Sequence, residues 1–179
     1  MKLSKTLLAS ALCLPLALPA FADGHMTPAA NADVKGAEDG LSGTVTLNRT
    51  ASGMTLVQID LTGVPEGEHG VHLHETGDCS AADFKSAGGH IPGDQTHGIL
   101  SEGGPHPGDM PNMTVGADGI LKADVFLSTL DLDSMIMDDD GAAFIPVRMI
   151  TPRNLRVTRD RGLPAVCSNL RADARAFVS

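Results

Sequence analysis

The segment 77–112 is the feature that most constrains the fold of this 179-residue chain. It is dense in Gly, Pro, His and Asp and shows almost no alternation of apolar and polar residues. An irregular segment of this length is uncommon inside a compact domain unless something other than secondary structure orders it. Metal ions and a disulfide are the available organisers, so we expect one or both to hold this segment.

Short β-strands are predicted on both sides of this segment. Apolar and polar residues alternate over 57–61 and 121–125, which is the period of half-buried strands. The chain has 20 Gly and no Trp or Tyr, so its core must be built from aliphatic residues and Met. These features predict an all-β domain over 41–179. The preceding residues 23–40 are small, polar and without periodicity, and are predicted to be a flexible arm.

Two histidines are predicted to share one face of a strand. In the stretch Val71-His72-Leu73-His74, a strand places both imidazoles on one side and both apolar residues on the other. His69 has the parity of the apolar residues, so we interpret it as a structural histidine satisfied by hydrogen bonds. The alternative for His72 and His74 is a pair of exposed histidines on an edge strand.

Four further residues form a candidate zinc site. His90, His97, His106 and Asp109 lie within twenty residues of the irregular segment. Three imidazoles and one carboxylate suit tetrahedral zinc, and four protein ligands would make a closed structural site. The alternative is a set of solvated loop histidines, which would leave the segment without an organiser.

The first 22 residues have the pattern of a secretory signal peptide. Lys2 and Lys5 precede an apolar stretch, and Ala20-Phe21-Ala22 supplies a cleavage pattern. The apolar stretch is too short to span a bilayer. We therefore expect a periplasmic or secreted protein with no membrane span.

Cleavage at that point has two consequences for the mature chain. It leaves Cys79 and Cys167 as the cysteines, and in an oxidising compartment a disulfide between them is the first hypothesis, with two unrelated buried thiols as the alternative. It also creates the terminus Asp23-Gly24-His25, whose amine, amides and imidazole could bind Cu(II) in square-planar geometry. The alternative there is an accidental histidine.

The charge of the chain excludes some classes of partner. The formal net charge is −9, and removal of Lys2 and Lys5 with the leader would make it −11. Such a charge argues against nucleic acid and anionic membrane surfaces as partners.

The motifs of the irregular segment resemble the copper/zinc superoxide dismutases of bacterial type. The match is strong from about Gly63 to Gly119 and weaker to Cys167. It rests on an ordered series of motifs: His69-Gly70-Val71-His72-Leu73-His74-Glu75, Gly77-Asp78-Cys79, Phe84-Lys85-Ser86-Ala87-Gly88-Gly89-His90, His97-Gly98, Gly104-Pro105-His106 and Gly108-Asp109-Met110-Pro111-Asn112.

The resemblance implies a fold, a site and a reaction. The fold is a Greek-key β-sandwich or flattened barrel, for which the family is a standard example. Copper would be bound by His72, His74 and His90, with His90 also bridging to a zinc held by His97, His106 and Asp109. Cys79 would pair with Cys167. The substrate would be superoxide, and a homodimer is compatible with the resemblance.

The chain departs from the family pattern in its copper-dependent parts. The family has a fourth copper histidine on a late strand, and no histidine follows His106 here. Pro164 stands where the family has an arginine that attracts the anion, and 149–153 lacks the aspartate that links the two metal sites. We therefore expect superoxide dismutase activity that is reduced or lost. The alternative is a non-catalytic, zinc-stabilised protein that binds or handles copper.

Overall fold

The computed structural model describes residues 26–36, 40–91, 93–150, 158–159 and 167–172. Nearly all of its regular structure is β, as the alternating patterns predicted. The strands are β1 (Thr27–Lys35), β2 (Ser42–Arg49), β3 (Thr55–Thr62), β4 (Gly67–His74), β5 (Met113–Val115), β6 (Leu121–Leu127), β7 (Ala142–Ile150), β8 (Thr158–Arg159) and β9 (Ser168–Ala172). A 3-10 turn at Lys85–Ala87 and a helical turn at Leu132–Met135 complete the elements.

The antiparallel strands form a nearly closed, barrel-shaped sheet. Their order is β5-β4-β7-β9-β1-β2-β3-β6, with β8 paired to β7. Strands β3 and β4 are consecutive in the chain but lie apart in the sheet, so the connection between them crosses the end of the barrel. This topology confirms the predicted Greek-key fold. None of the helices in the described residues is long and apolar enough to cross a membrane.

The prediction of a flexible arm over 23–40 is wrong for the part that forms β1. This strand pairs with β2 from Thr27↔Arg49 to Lys35↔Ser42 and also contacts β9. Its inward residues include Ala30, Ala32 and Val34, all buried in the core. The sequence of β1 does alternate, but its inward alanines are only weakly hydrophobic. The strand is stabilised by pairing on both edges rather than by its own β-propensity.

Strand β4 sorts its side chains as the sequence predicted. Val71 and Leu73 are fully buried in the main core, and His72 and His74 lie on the opposite face. His69 is buried, and its Nε2 lies 2.8 Å from the carbonyl oxygen of Pro65. The structural interpretation of His69 is confirmed.

The irregular segment is ordered by backbone pairing with one edge of β4. The N–H of Leu73 donates to Gly108 O at 2.9 Å, and the Leu73 carbonyl accepts from Ile91 N at 2.9 Å. Isolated bridges join His72 to Asp109 and His74 to His90. The segment thus extends the sheet beyond β5 and satisfies backbone groups that an open edge would leave unpaired.

This pairing requires a glycine at position 108. A Cβ built there would lie 2.7 Å from the carbonyl oxygen of Leu73, which is closer than real Cβ atoms approach backbone. The close approach brings Asp109 beside the face of β4 that carries His72.

The predicted disulfide between Cys79 and Cys167 is confirmed. The bond closes a separation of 88 residues and joins the irregular segment to the residue before β9. Beside it lies a second apolar cluster that includes Ala87, Ala143 and Ile145.

Candidate metal site

Asp109 lies at the centre of a group of imidazoles. Its side chain is 2% exposed, and its Oδ2 accepts hydrogen bonds from the backbone N–H of Gly98 at 2.8 Å and of His106 at 3.1 Å. The Nδ1 atoms of His97 and His90 lie 3.0 and 3.4 Å from its oxygens. The carboxylate is therefore fixed by backbone donors while its oxygens face ring nitrogens.

Charge states in this group favour metal binding. Burial alone would raise the pKa of Asp109, but the N–H groups of Gly98 and His106, together with the neighbouring His97 and His72, hold the pKa below its ordinary value. Burial, and then the neighbouring His90, lowers the pKa of His72 to about 3. Burial, and then His74, lowers the pKa of His90 to about 4. At neutral pH the site thus offers the Asp109 carboxylate and the neutral imidazoles of His72 and His90, the forms that bind metal.

The donor spacing fits a zinc ion. Ligand atoms of a tetrahedral zinc with bonds of about 2.0–2.1 Å lie about 3.3 Å apart. Asp109 Oδ1 lies 3.0 Å from His97 Nδ1 and 3.4 Å from His90 Nδ1. The two Nδ1 atoms are 3.3 Å apart. Three corners of a zinc tetrahedron are therefore already in place.

His106 adds a buried nitrogen to the same group. Its Nδ1 lies 3.8 Å from Asp109 Oδ2 and has no hydrogen-bond partner among the described residues. A buried polar atom without a hydrogen bond is costly unless a ligand or ion satisfies it. This atom supports the fit of the predicted set to zinc.

Comparisons with known proteins decide the family. The sequence model described as copper/zinc superoxide dismutase (SODC) matches residues 41–145, more than half of the chain. The chain belongs to the copper/zinc superoxide dismutase family.

Relatives in this family include both enzymes and proteins named only by likeness. The chain is 35% identical over 123 residues to a Cu-Zn superoxide dismutase of Caulobacter vibrioides, covering 65% of this chain and 70% of that one. It is 42% identical over 88 residues to the superoxide dismutase-like protein YojM of Bacillus subtilis, covering 45% of this chain and 44% of that one. A crystal structure of a superoxide dismutase-like protein from Bacillus subtilis matches with a TM-score of 0.63 and 26% identity, over 78% of this chain and 96% of that one.

The residues that match the family's copper ligands also come together. His74 Nδ1 lies 3.1 Å from Gly88 O, and because a carbonyl only accepts, Nδ1 carries the proton and Nε2 the lone pair. The ring of His74 meets that of His90 edge to face, with centroids 4.8 Å apart. We call His90, His97, His106 and Asp109 the zinc group. Because the Nδ1 of His90 faces Asp109, the Nε2 of His90 points away from the zinc group.

His72 is arranged differently from what the family's copper set requires. Its ring stacks on that of His90, with centroids 3.9 Å apart and an interplanar angle of 17°. Nitrogen lone pairs lie in the ring plane, so two nearly parallel stacked rings do not direct them at one ion without rotation. The copper trio of the superoxide dismutases is therefore not formed in this arrangement.

Strand β7 supplies the apolar surroundings of these histidines. In the antiparallel register, Ala143 lies opposite His74 and Ile145 opposite His72, on the same face of the sheet. Val147 continues that face two residues on. The late strand in which superoxide dismutases carry a fourth copper histidine thus presents an apolar stripe, which we define as Ala143, Ile145 and Val147.

A pocket connects the zinc group to solvent. It has a volume of about 430 Å³ and is lined in part by His72, His97, Asp109 and Met110. The side chain of His97 is 56% exposed at this opening, and Leu100 at the tip of the same loop is fully exposed. A metal ion would therefore enter the zinc group from solvent past the loop that carries His97.

The structure brings most of the predicted site residues into one place. His72, His74, His90, His97, His106 and Asp109 all lie beside the same edge of β4. Asp23, Gly24, His25, the 1–22 leader and Pro164 lie outside the described residues. Sequence reasoning missed the backbone donors of Gly98 and His106 and the turn of His72 toward Asp109. The absent fourth histidine was the one signal that His72 had lost a partner at copper.

Proposed function

We propose that this chain is an exported, zinc-binding superoxide dismutase-like protein whose superoxide dismutation is reduced or lost. The zinc ligands in this proposal are His90, His97, His106 and Asp109. Copper would use His72, His74 and His90, and would supply the one-electron chemistry that converts superoxide to oxygen and hydrogen peroxide. A homodimer remains compatible with the proposal.

One observation carries the expectation of weak activity. The apolar stripe on β7 faces the side of the sheet that holds His72 and His74, and it offers no nitrogen or oxygen donor to copper. From the described part of the chain copper would have three imidazoles, of which His72 must first turn away from its stacked position on His90. Ligands that must reorganise bind more weakly than ligands that are already oriented.

A non-catalytic role in copper binding is the second candidate. Exposure of His97 and the pocket beside it leave the metal group open to exchange. The terminus Asp23-Gly24-His25, if freed by cleavage after Ala22, would add a Cu(II) site that needs no part of the barrel. The terminal site suits a protein that takes up and releases copper, while the exposed His97 suits exchange of the metal beside Asp109.

The deciding experiment is metal analysis followed by a rate measurement on the same sample. The mature chain is loaded with zinc and copper, dialysed, and assayed for both metals and for superoxide dismutation. We expect one zinc and slow or absent turnover, and loss of bound copper on His25→Ala would select the copper-handling role. One zinc, one copper and a rate near the diffusion limit of about 10⁹ M⁻¹s⁻¹ would refute the proposal.

A further inference from the structure

His72 belongs by position to the copper set of the family but by geometry to the zinc group. Its Nε2 lies 4.0 Å from Asp109 Oδ1, and an isolated bridge pairs the two residues. Single donor atoms from His72, His90, His97 and Asp109 all lie within 4.8 Å of one another. His106 is not a member of that group of four.

The distances leave one corner of the zinc tetrahedron to be filled. Asp109, His90 and His97 already have mutual distances of 3.0 to 3.4 Å, close to the spacing of about 3.3 Å expected around zinc. His106 Nδ1 lies 3.8 Å from Asp109 Oδ2 and His72 Nε2 lies 4.0 Å from Asp109 Oδ1, and His72 belongs to the group of donors that lie within 4.8 Å of one another. To reach the ligand spacing of about 3.3 Å, either ring must rotate so that its nitrogen moves closer to the carboxylate by roughly 0.5 to 0.7 Å.

Among the described residues, no hydrogen bond holds the His72 side chain toward β7. Its cross-strand neighbour is Ile145, and the rest of the apolar stripe offers no polar partner. Its ring stacks on that of His90 with centroids 3.9 Å apart, so His72 must rotate out of the stack before its Nε2 and the Nδ1 of His90 can bind one ion.

We propose that His72 is a zinc ligand in this chain when zinc is the only metal present. The inference rests on the proposed zinc site and adds a residue that the family assigns to copper. Five side chains can then donate to zinc, the four proposed ligands and His72. His72 and His106 compete for the fourth position of the tetrahedron. Copper must withdraw His72 from zinc before it can bind, so the two metals compete for one side chain instead of occupying independent sites.

A direct test observes the imidazole nitrogens of the intact mature protein. Nitrogen-15 NMR of the histidine rings is recorded without metal and with one equivalent of zinc. We expect the Nε2 resonance of His72 to move with those of the zinc ligands while that of His74 stays in place. If only His90, His97 and His106 respond, the role of His72 is refuted and the proposed zinc site stands. If no ring responds, the zinc site fails and the inference fails with it.

Variants supply an independent measurement. Zinc affinity is determined by competition with a chromophoric chelator for the native protein, His72→Ala and the matched control His74→Ala, after circular dichroism has verified that each is folded. We expect His72→Ala to lose about ten-fold or more in zinc affinity and His74→Ala to remain within about three-fold of the native value. Equal affinities in the two variants would overturn the assignment. His72→Gln, which keeps the size of the side chain, replaces His72→Ala if that variant does not fold.

Discussion

Removal of the disulfide should destabilise the protein by an amount that follows from its place in the chain. The bond between Cys79 and Cys167 closes 88 residues. In the chain-entropy model, a loop of this length gives about 4.6 kcal/mol of stability at 25 °C. Domains of this size unfold with about 5–15 kcal/mol, so the loss is a large share of the total. With a urea m-value near 2 kcal/mol per M, the midpoint should fall by about 2 M.

The assay is urea unfolding of the double variant Cys79→Ser, Cys167→Ser against the native pair, both as the mature chain from Asp23, in which no third thiol can exchange. All proposed zinc ligands lie between residues 72 and 109, so zinc cannot replace the link to residue 167. The difference should therefore be similar with saturating zinc and with a chelator. A difference below about 1 kcal/mol, or one that disappears with zinc, would refute this reasoning.

Three further predictions concern the irregular segment, the pKa values of His72 and His90, and the binding of copper beside β7. Gly108→Ala should lower the free energy of unfolding by about 1–3 kcal/mol and weaken zinc binding, because the new Cβ would clash with the Leu73 carbonyl oxygen. The control Gly89→Ala, whose Cβ would lie 3.6 Å from the nearest atom, should leave both stability and zinc affinity nearly unchanged. In metal-free protein, His72 and His90 bind protons in the unfolded state near pH 6.5 but in the folded state only near 3 and 4. Urea midpoints should be flat above pH 6.5 and fall as pH drops toward 4, and constant midpoints would contradict these pKa values. Val147→His should increase copper retained after dialysis, while Val147→Leu should not, and equal retention would show that the apolar stripe is not what limits copper.

The strands and the sides of β4 could be predicted from sequence because they depend on local periodicity, whereas the Greek-key barrel was implied by the family resemblance. The parity of Val71 and Leu73 fixed which face of β4 would carry His72 and His74. Three imidazoles and one carboxylate within the twenty residues from His90 to Asp109 indicated a zinc site. Each of these inferences needs only the alternation of a strand or the preferences of a metal.

Other features depend on contacts between distant residues and left little trace in the sequence. Strand β1 is stabilised by β2 and β9 on either side, and its alanines gave too weak a pattern to predict it. Docking of the irregular segment on β4 depends on backbone groups of Leu73 and on the absence of a side chain at Gly108. The stacking of His72 on His90 is set by that docking, so its turn toward Asp109 could not be read from spacing.

The apolar stripe gives a physical reason why the zinc side can persist when the copper side is lost. Asp109 is held by backbone N–H groups of the segment itself, and the segment is held by β4 and the disulfide, none of which uses the missing histidine. A buried histidine on β7 without copper would leave an unsatisfied nitrogen, at a cost of about 1–3 kcal/mol. Ala143 and Ile145 instead pack with Ala87 in the cluster beside the disulfide. If the chain binds zinc as proposed, apolar residues at this position would stabilise the barrel more than a buried histidine without copper would.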